Sequence, residues 1–107
     1  MTTIERHAPH ATLINVFTVD PEQASTLAEL LNDATEKVMR HVPGFVSANI
    51  HVSTDGTRVV NYAQWETAEA YQAMLADPTA REHMATAAAL ASSFDPHLYT
   101  VESVHQR

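Results

Sequence analysis

Asp55-Gly56 lies between two runs of strand-forming residues, Phe45 to Ser53 and Arg58 to Trp65, and nothing else in the chain restricts its folding as much. Asp-Gly flanked by such runs is the strongest short-range signal for a β-hairpin, so the two runs are expected to pair as antiparallel neighbours. Everything before and after must build onto that hairpin. Upstream, Thr12 to Val19 reads TLINVFTV, β-branched and aromatic, which predicts a first strand ending at Asp20-Pro21. Asp20 is placed to cap a helix, with Pro21 in its first turn and Gln23 at the reciprocal position of a capping box. Ala24, Leu27, Leu31, Ala34, Val38 and Val42 then recur at intervals of three or four, the stripe of a long amphipathic helix that Pro43-Gly44 stops.

Downstream of the hairpin, Thr67 can cap a short helix carrying Tyr71 and Leu75. Asp77-Pro78 repeats the device ahead of an alanine-rich helical stretch from Thr79 to Ala91. Asp95-Pro96 is expected to break that stretch, and Leu98 to Val104 to form the last strand. Strand, helix, strand, strand, helix, strand is the α+β, ferredoxin-like βαββαβ order, with an antiparallel four-stranded sheet covered by helices on one face. At 107 residues the chain suits a single domain, residues 1–107, with 1–10 as a polar lead-in expected to be flexible. The first and third strands are apolar on both sides: Leu13, Phe17 and Val19 against Ile14 and Val16, and Val59, Ala63 and Trp65 against Val60 and Tyr62. Helices cover only one of those faces. The other is expected to meet a second copy of itself, giving a homodimer.

Several functions are disfavoured by composition. A net charge of -7 repels phosphate backbones and anionic lipid heads, which argues against nucleic-acid or membrane-surface partners. Without cysteine there is no disulfide, thiolate nucleophile, iron–sulfur cluster or cysteine-ligated zinc. Both glycines, Gly44 and Gly56, belong to turns rather than to a phosphate-binding loop. No apolar run is long enough to span a membrane, and Met1 to His10 lack the apolar core of a secretory signal, so a cytoplasmic location is expected.

The densest cluster of site-like residues is Asn61-Tyr62-Ala63-Gln64-Trp65. Alternation along a strand puts Asn61, Ala63 and Trp65 on one face, a recess with an amide at one end and an indole wall at the other. Tyr71, on the next helix, can bring its hydroxyl back over it. A plain core role for Trp65 and Tyr71 accounts for the same spacing. The chain's 7 histidines are scattered over separate elements, without the paired spacing of a metal site, so no metal is expected. His51, beside the hairpin, is the one that can reach a sheet pocket and accept a proton, and a plain surface histidine near a sheet end accounts for its position equally.

These stretches match a known pattern. TLINVFTV, the helix ending in VPGF, STDGTRVVNYAQWETAEAY and FDPHLYTV resemble the antibiotic biosynthesis monooxygenase family, in particular its anthrone-oxidising members from polyketide pathways. The resemblance implies a dimeric α/β barrel and an oxygenation that needs no cofactor. A phenolic tricyclic substrate would lose a proton, its carbanion would reduce dioxygen, and a quinone would result. By the same resemblance Asn61 and Trp65 stand at the oxygen-reacting end as donors and wall, and Tyr71 holds a substrate oxygen. The pocket is expected between the sheet and its own helices, with Phe17 and Met74 as apolar walls. Anthrone-oxidising relatives carry an arginine after the tyrosine, for which Arg81 is the only basic candidate here. Asn15, on the first strand, is similar to a polar residue of the haem-degrading branch and joins the substrate-binding set. The ligand histidine of that branch has no counterpart, since alanines, Met74 and Leu75 fill the helix and His83 comes later. A cyclase or quinol-oxidising enzyme, or a binding protein without turnover, are the alternatives on the same scaffold.

Overall fold

A computed structural model describes residues 1–107. The chain forms β1 (Ala11–Thr18), α1 (Pro21–Lys37), β2 (Phe45–Val52), β3 (Arg58–Trp65), α2 (Ala68–Ala76), α3 (Pro78–Ala89) and β4 (Ser93–Tyr99), with a 3₁₀ turn at Met39–His41. The strands make one antiparallel sheet in the order β2-β3-β1-β4, the ferredoxin-like α+β topology. No helix is long and apolar enough to cross a membrane.

The hairpin forms through a five-residue connection rather than a two-residue turn. Gly56 N–H bonds to the Ser53 carbonyl at 2.9 Å, with Gly56 at φ 74°. The Asp55 carboxylate collects the Thr57 hydroxyl at 2.7 Å, the Thr57 N–H at 3.0 Å and the Ser53 hydroxyl at 2.7 Å. These bonds, that from the Thr57 hydroxyl foremost, hold the carboxyl at a pKa of about 2 instead of 3.8.

Thr67 accepts from Ala70 N–H at 3.0 Å, and Asp77 from the N–H groups of Thr79 and Ala80 at 2.9 and 3.1 Å, so both cap their helices. Asp20 makes no side-chain cap; its carbonyl instead accepts the Gln23 N–H at 2.8 Å. The stripe on α1 ends sooner than its periodicity predicts. Val38 leaves helical geometry at φ -126°, and the 3₁₀ turn carries Val42 onto the core by another route.

The last strand is corrected most. α3 stops at Ala89, before Asp95-Pro96, and β4 spans Ser93–Tyr99 instead of Leu98 to Val104. Pro96 sits inside the strand, opposite Asn15. A proline is admitted there because β4 is an edge strand with one neighbour, so only alternate N–H groups are needed by the ladder.

Side chains of β1 and β3 split the sheet into two faces, as alternation requires. The face toward the helices carries two apolar clusters, one around Leu13, Ala63, Trp65, Tyr71 and Met74, the other around Phe17, Val19, Leu27 and Val59. On the opposite face Ile14, Val16, Val60 and Tyr62 are half-buried. The lead-in crosses one end of that face, where Gln64 donates to the Thr3 carbonyl at 2.8 Å and Thr2 to Asn49 at 2.9 Å.

Candidate active site

The gap between the two clusters is where the site lies. Asn15 on β1 and Asn61 on β3 are register partners, so two amides stand side by side on the face that otherwise carries Leu13, Phe17, Val59, Ala63 and Trp65. A polar pair cannot join an apolar cluster without cost, and the helices arch over it instead. A cavity of about 440 Å³ results, within the size range of small-molecule sites. Of its 23 lining residues 17 are hydrophobic, so each polar group stands in mostly apolar surroundings and counts for more.

Trp65 is the best-fixed member. It is 2% exposed and meets Phe45 edge-on at 5.6 Å and 90°, and Tyr71 at 6.3 Å and 56°. Gly44 sets the distance between this corner and α2. At φ 87° it sends its carbonyl to the Glu66 N–H at 2.7 Å, and a Cβ there would overlap the Ala70 side chain, one residue before Tyr71.

Asn61 and Trp65 line the cavity, and each holds a buried polar atom without any partner, Oδ1 and Nε1 respectively. Native interiors pair nearly all such groups, and each unpaired one costs about 1–3 kcal/mol. A bound molecule with complementary groups would satisfy both. Asn15 differs, since its Oδ1 accepts the Asp95 N–H at 3.2 Å and ties β4 to the cavity edge. Tyr71 is buried, and desolvation pushes its pKa above 10.0, so its hydroxyl keeps the proton.

Of the residues singled out from sequence, Asn15, Phe17, Asn61, Trp65, Tyr71, Met74 and Arg81 line this one cavity. His51 does not. It pairs with Val60, whose side chain faces away from the helices, and it is exposed with Nδ1 3.2 Å from the Asn49 carbonyl. Strand parity decides this: with the irregularity between Phe45 and Ser47, Phe45 and Ala48 are the β2 residues that line the cavity.

Thr35, His83 and Met84 also line the cavity and were not anticipated. The signal for the last two was present, because Ala80, His83, Met84 and Ala87 recur at three- and four-residue spacing on α3 and share its inner side.

The model of the family described as "antibiotic biosynthesis monooxygenase" matches residues 11–86. Tetracenomycin-F1 monooxygenase of Streptomyces glaucescens is 48% identical over 83 residues, which span 78% of this chain and 74% of that protein. The crystal structure of a monooxygenase from the ActVA-Orf6 gene of Streptomyces coelicolor, in complex with nanaomycin D, aligns with a TM-score of 0.82 at 35% identity over 91% of each chain. SnoaB, a cofactor-independent oxygenase from Streptomyces nogalater, aligns with a TM-score of 0.72 at 27% identity over 91% of this chain and 97% of that one. With the model matched from the first strand into α3, and with a relative this similar, the chain belongs to the antibiotic biosynthesis monooxygenase family and is a monooxygenase.

Proposed function

We propose that the protein is a cofactor-independent monooxygenase of aromatic polyketide biosynthesis, oxidising a polycyclic phenol or anthrone to its quinone with dioxygen in this cavity. The observation that carries the reading is the pair of unpartnered polar atoms, Asn61 Oδ1 and Trp65 Nε1, on residues that line a mostly apolar cavity. Support for the substrate class comes from the relatives, one named for tetracenomycin F1 and one in complex with nanaomycin D.

The chemistry asks little of the protein. A methylene conjugated with a ring carbonyl loses a proton to give a stabilised anion, and that anion can itself reduce dioxygen. A carbon–oxygen bond forms, and the hydroperoxide loses water, so that CH₂ and O₂ become C=O and H₂O with no outside reductant. What remains is to desolvate, orient and stabilise the anion. Trp65 and Asn61 offer hydrogen bonds at the reacting end, and the protonated Tyr71 holds a substrate oxygen. Phe17 and Met74 supply apolar walls, while Asn15, beside Asn61, and Arg81 add further polar groups to the wall.

The test is dioxygen consumption by purified protein with an anthrone, alone and with a chelator. Turnover is expected to persist with the chelator. Trp65→Phe and Asn61→Ala are expected to slow it by about 100-fold to 1000-fold, as loss of one positioned donor does elsewhere, with smaller effects on thermal stability. Variants that oxidise the anthrone as fast as the parent would mean that the substrate autoxidises and the protein only binds it.

The reading includes a homodimer in which two second faces meet as a dimeric α/β barrel. Its support is the half-buried Ile14, Val16, Val60 and Tyr62, together with Tyr99, which is 46% exposed and pairs with Thr12 on the same face.

A further inference from the structure

Oxygenation of the kind proposed above starts with loss of a substrate proton, and something in the cavity has to receive it. The titratable side chains on its wall are Tyr71 from α2 and Arg81 and His83 from α3. From the other elements the polar contributions are Asn15, Thr35 and Asn61, and no carboxylate lines the cavity. Amides and a threonine hydroxyl are not bases in water. Arginine stays cationic, and the buried Tyr71 holds its proton, its pKa raised by desolvation. Imidazole is the side chain that exchanges a proton near neutral pH.

His83 is half-buried near the middle of α3, with the exposed Glu82 beside it in sequence and Arg81 as the only fixed charge on the cavity wall. Three other histidines are engaged by neighbours: His7 by Glu102, His51 by the Asn49 carbonyl and His97 by Asp95. The ring of His83 has no such commitment.

We infer that His83 is the catalytic base of the proposed reaction, accepting the proton from the carbon that becomes the carbonyl and returning it to the reduced oxygen. This rests on the functional reading above. As the C–H bond breaks, the proton goes to the imidazole and the electron pair stays on the substrate as a delocalised carbanion. The carbanion passes its electrons to dioxygen, the carbon–oxygen bond forms, and the terminal peroxide oxygen takes the proton back. The same imidazole then removes the second proton from that carbon while the O–O bond breaks. Hydroxide leaves and combines with that proton as water, which restores the neutral ring.

The experiment follows dioxygen consumption with an anthrone across the pH range in which imidazoles titrate, for the parent, His83→Gln and His83→Ala. The parent is expected to show a rising limb in that range. His83→Gln is expected to lower kcat by about 100-fold near neutrality with KM little changed, and to replace the limb by a steady rise as hydroxide takes over. Added imidazole is expected to restore part of the rate of His83→Ala. A His83→Gln protein that keeps the parent's limb and rate overturns the assignment. So does a parent profile with no limb in the imidazole range, whatever the variants do. An active parent matched by His83→Gln overturns this inference alone, whereas a parent inactive on every anthrone overturns the functional reading and this inference with it.

Discussion

Tyr71 shows how one side chain can be both core and site. Its ring completes an apolar cluster with Trp65 and Met74, while its hydroxyl belongs to the cavity that the same cluster borders. Burial raises its pKa above 10.0, so the folded state favours the protonated form. For an acid shifted in that direction, the contribution to stability is whole below the ordinary pKa and is lost as pH climbs through the folded one. The parent is therefore expected to lose stability above pH 10.0, and Tyr71→Phe to blunt that loss. Absorbance titration of tyrosinate should show the matching event, a late-ionising tyrosine that Tyr71→Phe removes. A variant with the parent's alkaline unfolding curve and the same late step would place the raised pKa elsewhere. Asn61, Trp65 and Tyr71 were legible in the sequence because strand alternation and a short loop to the next helix leave little choice of side. The same rule does not place His51, whose side is set only by its register against β3 once the strands pair.

Among the elements, α2 depends on its neighbours more than on its own nine residues. Helices this short are marginal alone, and α2 is held by its Thr67 cap and by contact with the β2 and β3 ends. Gly44 allows that contact. Gly44→Ala places a Cβ at φ 87°, which costs about 1–2 kcal/mol for the left-handed backbone. Overlap with Ala70 adds the overpacking cost, about 1–3 kcal/mol. Denaturant unfolding should register a loss of that order. Because any relief shifts α2, which carries Tyr71, turnover is expected to fall as well. Unchanged stability would show that the chain near Gly44 moves without taking α2 along. The same scale accounts for β4. Asp-Pro reads locally as a break, and only its place at the sheet edge, beside Asn15, makes it part of a strand.

For the whole molecule the open question is what covers the second sheet face. Helices shield one face, the lead-in crosses one end of the other, and a row of half-buried apolar side chains lies between. A face of that kind left in water invites association. In sedimentation the protein is expected to run at about twice 11.8 kDa, and Val60→Lys, which sets a charge at the centre of that row, to shift it toward monomer. A parent that sediments as an 11.8 kDa monomer at micromolar concentration would remove the dimer from the reading.

Local chemistry determined most of the architecture. Asp-Gly paired β2 with β3, the stripe from Ala24 to Ala34 made α1 amphipathic, and the two cap-and-proline signals at Asp20 and Asp77 opened helices where the chain needed them. These are interactions between residues a few positions apart, so they can be read without knowing the fold, although at Asp20 the proline and the backbone open the helix without the side-chain cap that Asp77 supplies. The cavity was decided otherwise. Asn15 and Asn61 are 46 positions apart and meet only because β1 and β3 pair in one register, and His83 joins the same cavity wall only because α3 packs against α1 and α2. Contacts of that range have no local signature; they exist once loop closure and burial have chosen a single packing, and the chemistry at the site waits on that choice.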